Sequence, residues 1–279
     1  MRSYAFLPML AVFGVAALDY AGMGLRLRWL LPPGVRYGRS LRAVVLCAGY
    51  NNILPAKAGD ALKVVYLTRT TGHSLLTVGS AILWERLMDV LVLLCVAMLA
   101  YASGTGQGPL LPAALALGGA AAFWICRRWS PCFHAAYARL PSRRLASILS
   151  GAHARLVDAV SLPWFLRAFV LSLCIWCCYF ASFALSLCLV AGLELTLAQI
   201  LAVFAVTCLG MAVPSSPGGL GVFEGAVVLS LSWAGVDRNT ALGVALFIHA
   251  VHFIPLAVAA VSLNNCGDLL TREAGTSHR

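Results

Sequence analysis

The stretch "NNILPAKAGDALK", Asn51–Lys63, decides how this chain is read. It holds two amides, a proline, a glycine and three charges, and it lies between two strongly apolar segments. Breaking a helix inside a bilayer frees backbone N–H and C=O groups, which is tolerated only where protein or a water-filled cavity surrounds them. The stretch is therefore either a loop between two full crossings or the tip of a broken-helix hairpin.

Composition sets the solvent. Of 279 residues 61% are hydrophobic and 11% charged, with a mean hydropathy of +0.88; a soluble domain carries about 25% charged residues. Apolar runs of about 20 residues recur, each long enough to cross a ~30 Å hydrocarbon core as a helix. The alternating ten-residue segments of a β-barrel do not appear. The expected fold class is an all-α polytopic membrane protein forming one integral domain over 1–279.

The net charge of +10 reads as basic loops that hold topology and touch anionic headgroups; no nucleic-acid motif accompanies it. The ten cysteines lie mostly in apolar runs and read as small hydrophobes. No metal, disulfide or cofactor is expected. The apolar N-terminus ends without an A-x-A site, so it reads as a retained helix rather than a signal peptide.

Full spans are expected at Tyr4–Leu25, Leu75–Ala102, Pro109–Cys126, Trp164–Ala191 and Ala241–Leu263, with shorter or broken pieces at Leu41–Leu54 and Leu197–Gly235. One arginine precedes the first span and five follow it (Arg26, Arg28, Arg36, Arg39, Arg42). The positive-inside bias places the N-terminus outside and the Arg26–Arg42 loop in the cytoplasm. Arg127 to Arg167 contains seven arginines and is also expected inside, with an amphipathic piece around Leu145–Leu156 on the surface. The two clear spans between these loops use up one exit and one return. Leu41–Leu54 therefore cannot cross; it must break at Pro55 and return as a helix over Ala56–Thr70. The same count puts Asp237 outside and the polar tail, 264–279, in the cytoplasm.

The second break echoes the first. Pro55-Ala-Lys-Ala-Gly59 and Pro217-Gly-Gly-Leu-Gly221 are both P-x-x-x-G. Gly59 is followed by Gly72 and Glu85, and Gly221 by Gly235 and His249, at near-equal spacings. Two oppositely oriented units follow: residues 4–102 and 164–263, joined by a linker span at 109–126 and the basic loop 127–163. Inverted repeats with helices broken near mid-membrane are a recurring plan of secondary transporters. The expected total is about five spans plus two re-entrant hairpins.

Polar residues inside apolar runs need a reason. Glu85, Arg86 and Asp89 would each cost ~2.5–3.5 kcal/mol at the bilayer centre. They form either a self-neutralising structural cluster, with Arg86 reaching Asp89, or a cavity wall with Arg86 as a fork for phosphate or carboxylate. Glu224 is a lone acid, a structural counter-ion or a coupling group, with Arg86, a histidine or a proton as partner. His249 and His252 read as interhelical hydrogen-bonding groups. Helix starts near Ala56 and Leu220 offer free N–H groups to anions. Lys57 and Lys63 add charge at the first, and Gly218, Gly219 and Gly221 allow close backbone approach at the second. Asp60 caps locally or pairs with Lys63. Asn51 and Asn52 satisfy backbone freed at Pro55. With Gly59, Pro214 and Pro217 as the other breaking residues, these are the candidate substrate-binding set; no catalytic residue is expected.

Three motifs in order, "NNILPAKAGDALKVVYLTRTTGHS", "ERLMD" and "PSSPGGLGVFEGAVV", resemble the flippase-like transmembrane region of lysylphosphatidylglycerol synthase and its stand-alone relatives, over about Arg26 to Leu263. The resemblance implies a multi-pass protein of the cytoplasmic (inner) membrane that moves a lipid between leaflets, the cargo being an anionic, polyprenyl-linked or hopanoid-type lipid. It carries over to Asn51, Asn52, Pro55, Gly59, Asp60, Glu85, Arg86, Asp89, Pro217, Gly218, Gly219, Gly221 and Glu224. Family members often carry an arginine soon after the G-D pair, where Lys63 is the nearest match. No aminoacyl-transferring domain follows the last span, so aminoacylation is not expected. Two alternatives stand beside transport: an accessory subunit for a lipid-modifying enzyme or glycosyltransferase, and a membrane enzyme acting on lipid.

Overall fold

The computed structural model describes residues 6–105, 117–119, 121, 124–125, 127–158, 160–212 and 216–265. Pro214, most of the expected linker span at 109–126 and the tail beyond 265 lie outside these residues.

The described chain is helical throughout. It runs as α1 (Phe6–Leu30), α2 (Tyr37–Ile53), α3 (Ala58–Thr71), α4 (Leu75–Thr105), α5 (Ser130–Ala138), α6 (Arg143–His153), α7 (Leu162–Leu185), α8 (Leu197–Ala212), α9 (Val222–Trp233) and α10 (Arg238–Asn265). Phe6–Leu30, Leu162–Val190 and Arg238–Leu263 are long and apolar enough to cross a membrane. At 31 residues, α4 has the length as well. α7 widens into a π-helical turn over Ser186–Val190.

Local chemistry sets the boundaries. Ser161 and Ser142 start α7 and α6 by accepting the amides of Trp164 and Leu145, both at 3.3 Å. Gly72 ends α3 at φ +70°, its amide closing on the Thr68 carbonyl. Asp237 starts α10: the Thr240 hydroxyl and the amides of Thr240 and Asn239 hold its carboxyl below the usual range. α6 buries no residue and exposes Leu145, Ile148 and Leu149 beside Arg143 and Arg144, as an interfacial amphipathic helix does.

Between α2 and α3 the chain turns at Pro55, with Ala56 (φ 55°) and Lys57 (φ 56°) both left-handed. Between α8 and α9 it turns at Pro217, with Gly218 (φ 63°) and Gly219 (φ 73°) both left-handed. The P-x-x-x-G echo is thus an echo of backbone shape. α3 folds back on α2, and α9 on α8. Gly59 allows the first closure, because a Cβ there would strike the Cys47 carbonyl.

Glycine also sets three helix crossings, as small residues do where no hydrophobic drive separates helix from lipid. Gly22 seats α1 on Ile175 of α7, Gly24 seats α1 on Leu41 of α2, and Gly49 seats α2 on Leu256 and Ala260 of α10. α1 packs on α7, α2 on α10 and α4 on α8. Exchanging the two halves maps α1–α7 onto itself and α2–α10 onto α8–α4, a pattern that two repeats of one plan produce. One apolar cluster ties α7 to α10 through Phe183, Phe204, Phe223 and Ile248; another ties α1 to α4 through Leu27, Leu46, Leu67 and Val78.

One expectation is corrected here. The first helix runs to Leu30, so Arg26 lies within it, buried at 2% exposure, and is not a loop charge.

Candidate functional site

The two hairpin turns touch. A Cβ at Gly218 would lie 3.2 Å from the Asn52 carbonyl oxygen. Lys57 Nζ donates to the Ala212 carbonyl at 3.2 Å, and Asn52 Nδ2 to the Phe253 carbonyl at 3.1 Å. Backbone oxygens at the ends of α8 and along α10 are thus met by side chains of the first hairpin. Beside the turns lies a cavity of about 260 Å³. Asn51, Asn52 and Lys57 reach it from the first hairpin and Gly218 and Gly219 from the second, with Asp19 of α1, Tyr179 of α7 and His252 of α10 completing its polar wall. Asp19 is 4% exposed and its Oδ1 accepts no hydrogen bond from a described residue; Asn51 Oδ1 is in the same state.

Against this cavity stands a network of three cations and three carboxylates. Arg26 donates to Asp89 at 2.7 and 3.2 Å and to the Ser172 hydroxyl at 2.9 Å, and lies 3.8 Å from Glu85. Lys63 pairs with Glu85 at 2.5 Å. Arg86 pairs with Asp60, which also accepts from Cys47 at 3.0 Å and from Asn51 at 3.5 Å. Trp176 Nε1 donates to Asp89 at 3.1 Å. α1, α3, α4 and α7 are bound together by this network. Its charges cancel, which is what burial demands: an unpaired ion inside costs several kcal/mol.

The third group stands on the second hairpin. Glu224 accepts the Gly221 amide at 2.7 Å, closing the start of α9, and meets His249 Nδ1 of α10 at 2.5 Å.

The residues singled out from sequence therefore form three groups rather than one. Asn51, Asn52, Lys57, Gly218 and Gly219 share the cavity. Asp60, Lys63, Glu85, Arg86 and Asp89 share the ion network. Gly221, Glu224 and His249 brace the second hairpin. Pro55 and Pro217 act as breaks; Gly59, expected to be one, lies inside α3 and lets it close on α2. Three expected pairings are corrected: Asp89 pairs with Arg26 rather than Arg86, Lys63 pairs with Glu85 rather than Asp60, and Asn51 and Asn52 turn to Asp60 and to the Phe253 carbonyl rather than to backbone freed at Pro55. Asp19, Tyr179 and Ser172 carry no expectation from sequence, and Arg26 carries only that of a loop charge. Asp19 was findable as the acid within the first apolar run, in "AALDYAG", seven residues before Arg26.

Fold and site together define an all-α, polytopic membrane protein with two broken-helix hairpins meeting at a polar cavity. The family model for the lysylphosphatidylglycerol synthase TM region matches residues 1–260. The chain belongs to that family, and so to membrane proteins related to lipid handling. No curated protein and no solved structure matches it.

Proposed function

We propose that this protein moves a lipid between leaflets, its headgroup passing through the cavity where the two hairpin turns meet. One observation carries this: broken helices from both halves of the chain meet at a polar cavity containing a buried carboxyl oxygen that no described residue hydrogen-bonds. Irregular backbone at membrane depth is expected only around such a cavity or within protein. Lys57 offers charge to a phosphate, Asn51 and Asn52 offer amides, and Asp19 offers an acceptor. The cargo is a lipid with an anionic or isoprenoid-linked polar headgroup, and the membrane is the cytoplasmic one, N-terminus outside. The two hairpins are re-entrant from opposite faces, making the halves inverted repeats.

Transport is favoured over catalysis by the state of the Ser–His pair beside the cavity. Ser186 Oγ lies 3.3 Å from His252 Nε2, but Ser186 is buried, does not line the cavity, and already donates to the Ser182 carbonyl. The pair acts as an interhelical tie.

Leaflet exchange of a fluorescent phosphatidylglycerol in proteoliposomes tests the proposal. Lys57→Ala and Asp19→Asn slow exchange about tenfold, the loss expected when ~1.4 kcal/mol of headgroup stabilisation is removed. Unchanged rates in both would remove the cavity from the mechanism.

A further inference from the structure

A second recess lies away from the hairpin turns, where α1 ends and α4 and α7 begin. Its volume is about 770 Å³. Because three helices terminate there, it sits at the level of the membrane–water interface. Two kinds of residue make it. Trp29 and Trp164 stack with ring centroids 5.1 Å apart, and Trp84 meets Trp164 edge-on at 5.1 Å. Around them stand Arg28 of α1, Arg155 of the segment following α6, and Arg167 of α7, all exposed. Among the described residues no carboxylate lines the recess and no salt bridge engages these arginines.

We propose that this recess binds one anionic phospholipid of the cytoplasmic leaflet, its phosphodiester among Arg28, Arg155 and Arg167 and its glycerol backbone against the Trp29–Trp164 stack. Guanidinium groups match phosphate oxygens in a fork geometry. Indole rings favour the boundary where one edge is wet and one is apolar. The volume falls within the range of sites that enclose a small ligand. Leu25, Leu30 and Leu31 continue the wall as an apolar surface for acyl chain. Trp84 forms part of the wall, and its neighbour Glu85 pairs with Lys63 and lies near Arg26. A lipid held here therefore stands one residue from the ion network that ties α1, α3 and α4 together. The site stands whether or not the protein transports lipid, since it is a binding site defined by charge and shape.

Tryptophan quenching by bromine-labelled lipid tests it. The protein is reconstituted in phosphatidylcholine vesicles carrying a minor fraction of acyl-brominated phosphatidylglycerol or acyl-brominated phosphatidylcholine. Quenching by the anionic lipid is expected to exceed that by the neutral one severalfold, each arginine contributing roughly a fivefold preference. The excess disappears in Arg28→Gln/Arg155→Gln/Arg167→Gln, returns when the three are lysine, and disappears in Trp29→Phe/Trp164→Phe. Equal quenching by both lipids in the unmodified protein overturns the proposal, as does an excess that survives either neutral variant. If the arginine variant fails to reconstitute, the tryptophan variant decides. In detergent, inorganic phosphate competing as well as a short-chain phosphatidylglycerol would assign the site to a free anion and overturn the lipid assignment.

Discussion

Ala56 and Lys57 hold left-handed backbone at the first hairpin turn, where each L side chain costs ~1–2 kcal/mol. The second turn reaches the same shape with Gly218 and Gly219 at no such cost. Ala56→Gly should therefore stabilise the purified protein by up to about 1 kcal/mol, partly offset by the greater freedom of the unfolded chain. Ala56→Val, β-branched where φ is positive, should destabilise it. Thermal unfolding in detergent separates the two, and the opposite order would deny the turn its strained shape. Arg26 makes the second case at this scale. Asp89 pairs with it directly and Glu85 lies 3.8 Å away, and removing one partner of a buried pair costs ~3–5 kcal/mol. Arg26→Ala should lower the unfolding midpoint strongly and Arg26→Lys less, since lysine keeps the charge without the fork. A midpoint unmoved by Arg26→Ala would mean the network carries no stability.

At the scale of elements, the helices that lead into the two hairpin turns are shorter than the full spans. α2 has 17 residues and α8 has 16, so at 1.5 Å per residue each spans about 25 Å against a ~30 Å hydrocarbon core. Their turns also touch. If the two hairpins enter from opposite faces, as proposed, their meeting requires each to stop part-way. Cysteines at Ala56 and Leu62 should react with a membrane-impermeant thiol reagent from the cytoplasmic side alone, and one at Leu220 from the other side alone. Labelling of Ala56 and Leu220 from one common side would undo the opposed arrangement. Proline and glycine made both breaks legible in the sequence, because helix-breaking chemistry is local. The partners of Glu85 and Asp89 were not legible: sequence spacing offered Arg86, three residues from Asp89, whereas the fold delivers Lys63 from α3 and Arg26 from α1. Arg26 was counted as a topogenic loop charge because an arginine at the end of an apolar run looks the same whether it snorkels outward or turns inward.

Across the whole molecule, the packing of α1 on α7, α2 on α10 and α4 on α8 makes each half of the chain complete the other. This pairing and the cavity itself needed three dimensions, since Asp19, Lys57, Gly218 and His252 come from four separate helices or turns. At about 260 Å³ the cavity is smaller than the ~300–1,000 Å³ of sites that enclose a drug-sized ligand. A headgroup trailing acyl chains therefore passes only if the hairpin turns part. Asn52 and Gly218 lie close enough for a tether, the Cβ position of Gly218 being 3.6 Å from Asn52 Cα. The decisive measurement is leaflet exchange by Asn52→Cys/Gly218→Cys protein in proteoliposomes, oxidised and then reduced. Exchange that stops on oxidation and resumes on reduction is the predicted result; exchange at the same rate with the turns locked together would contradict the account.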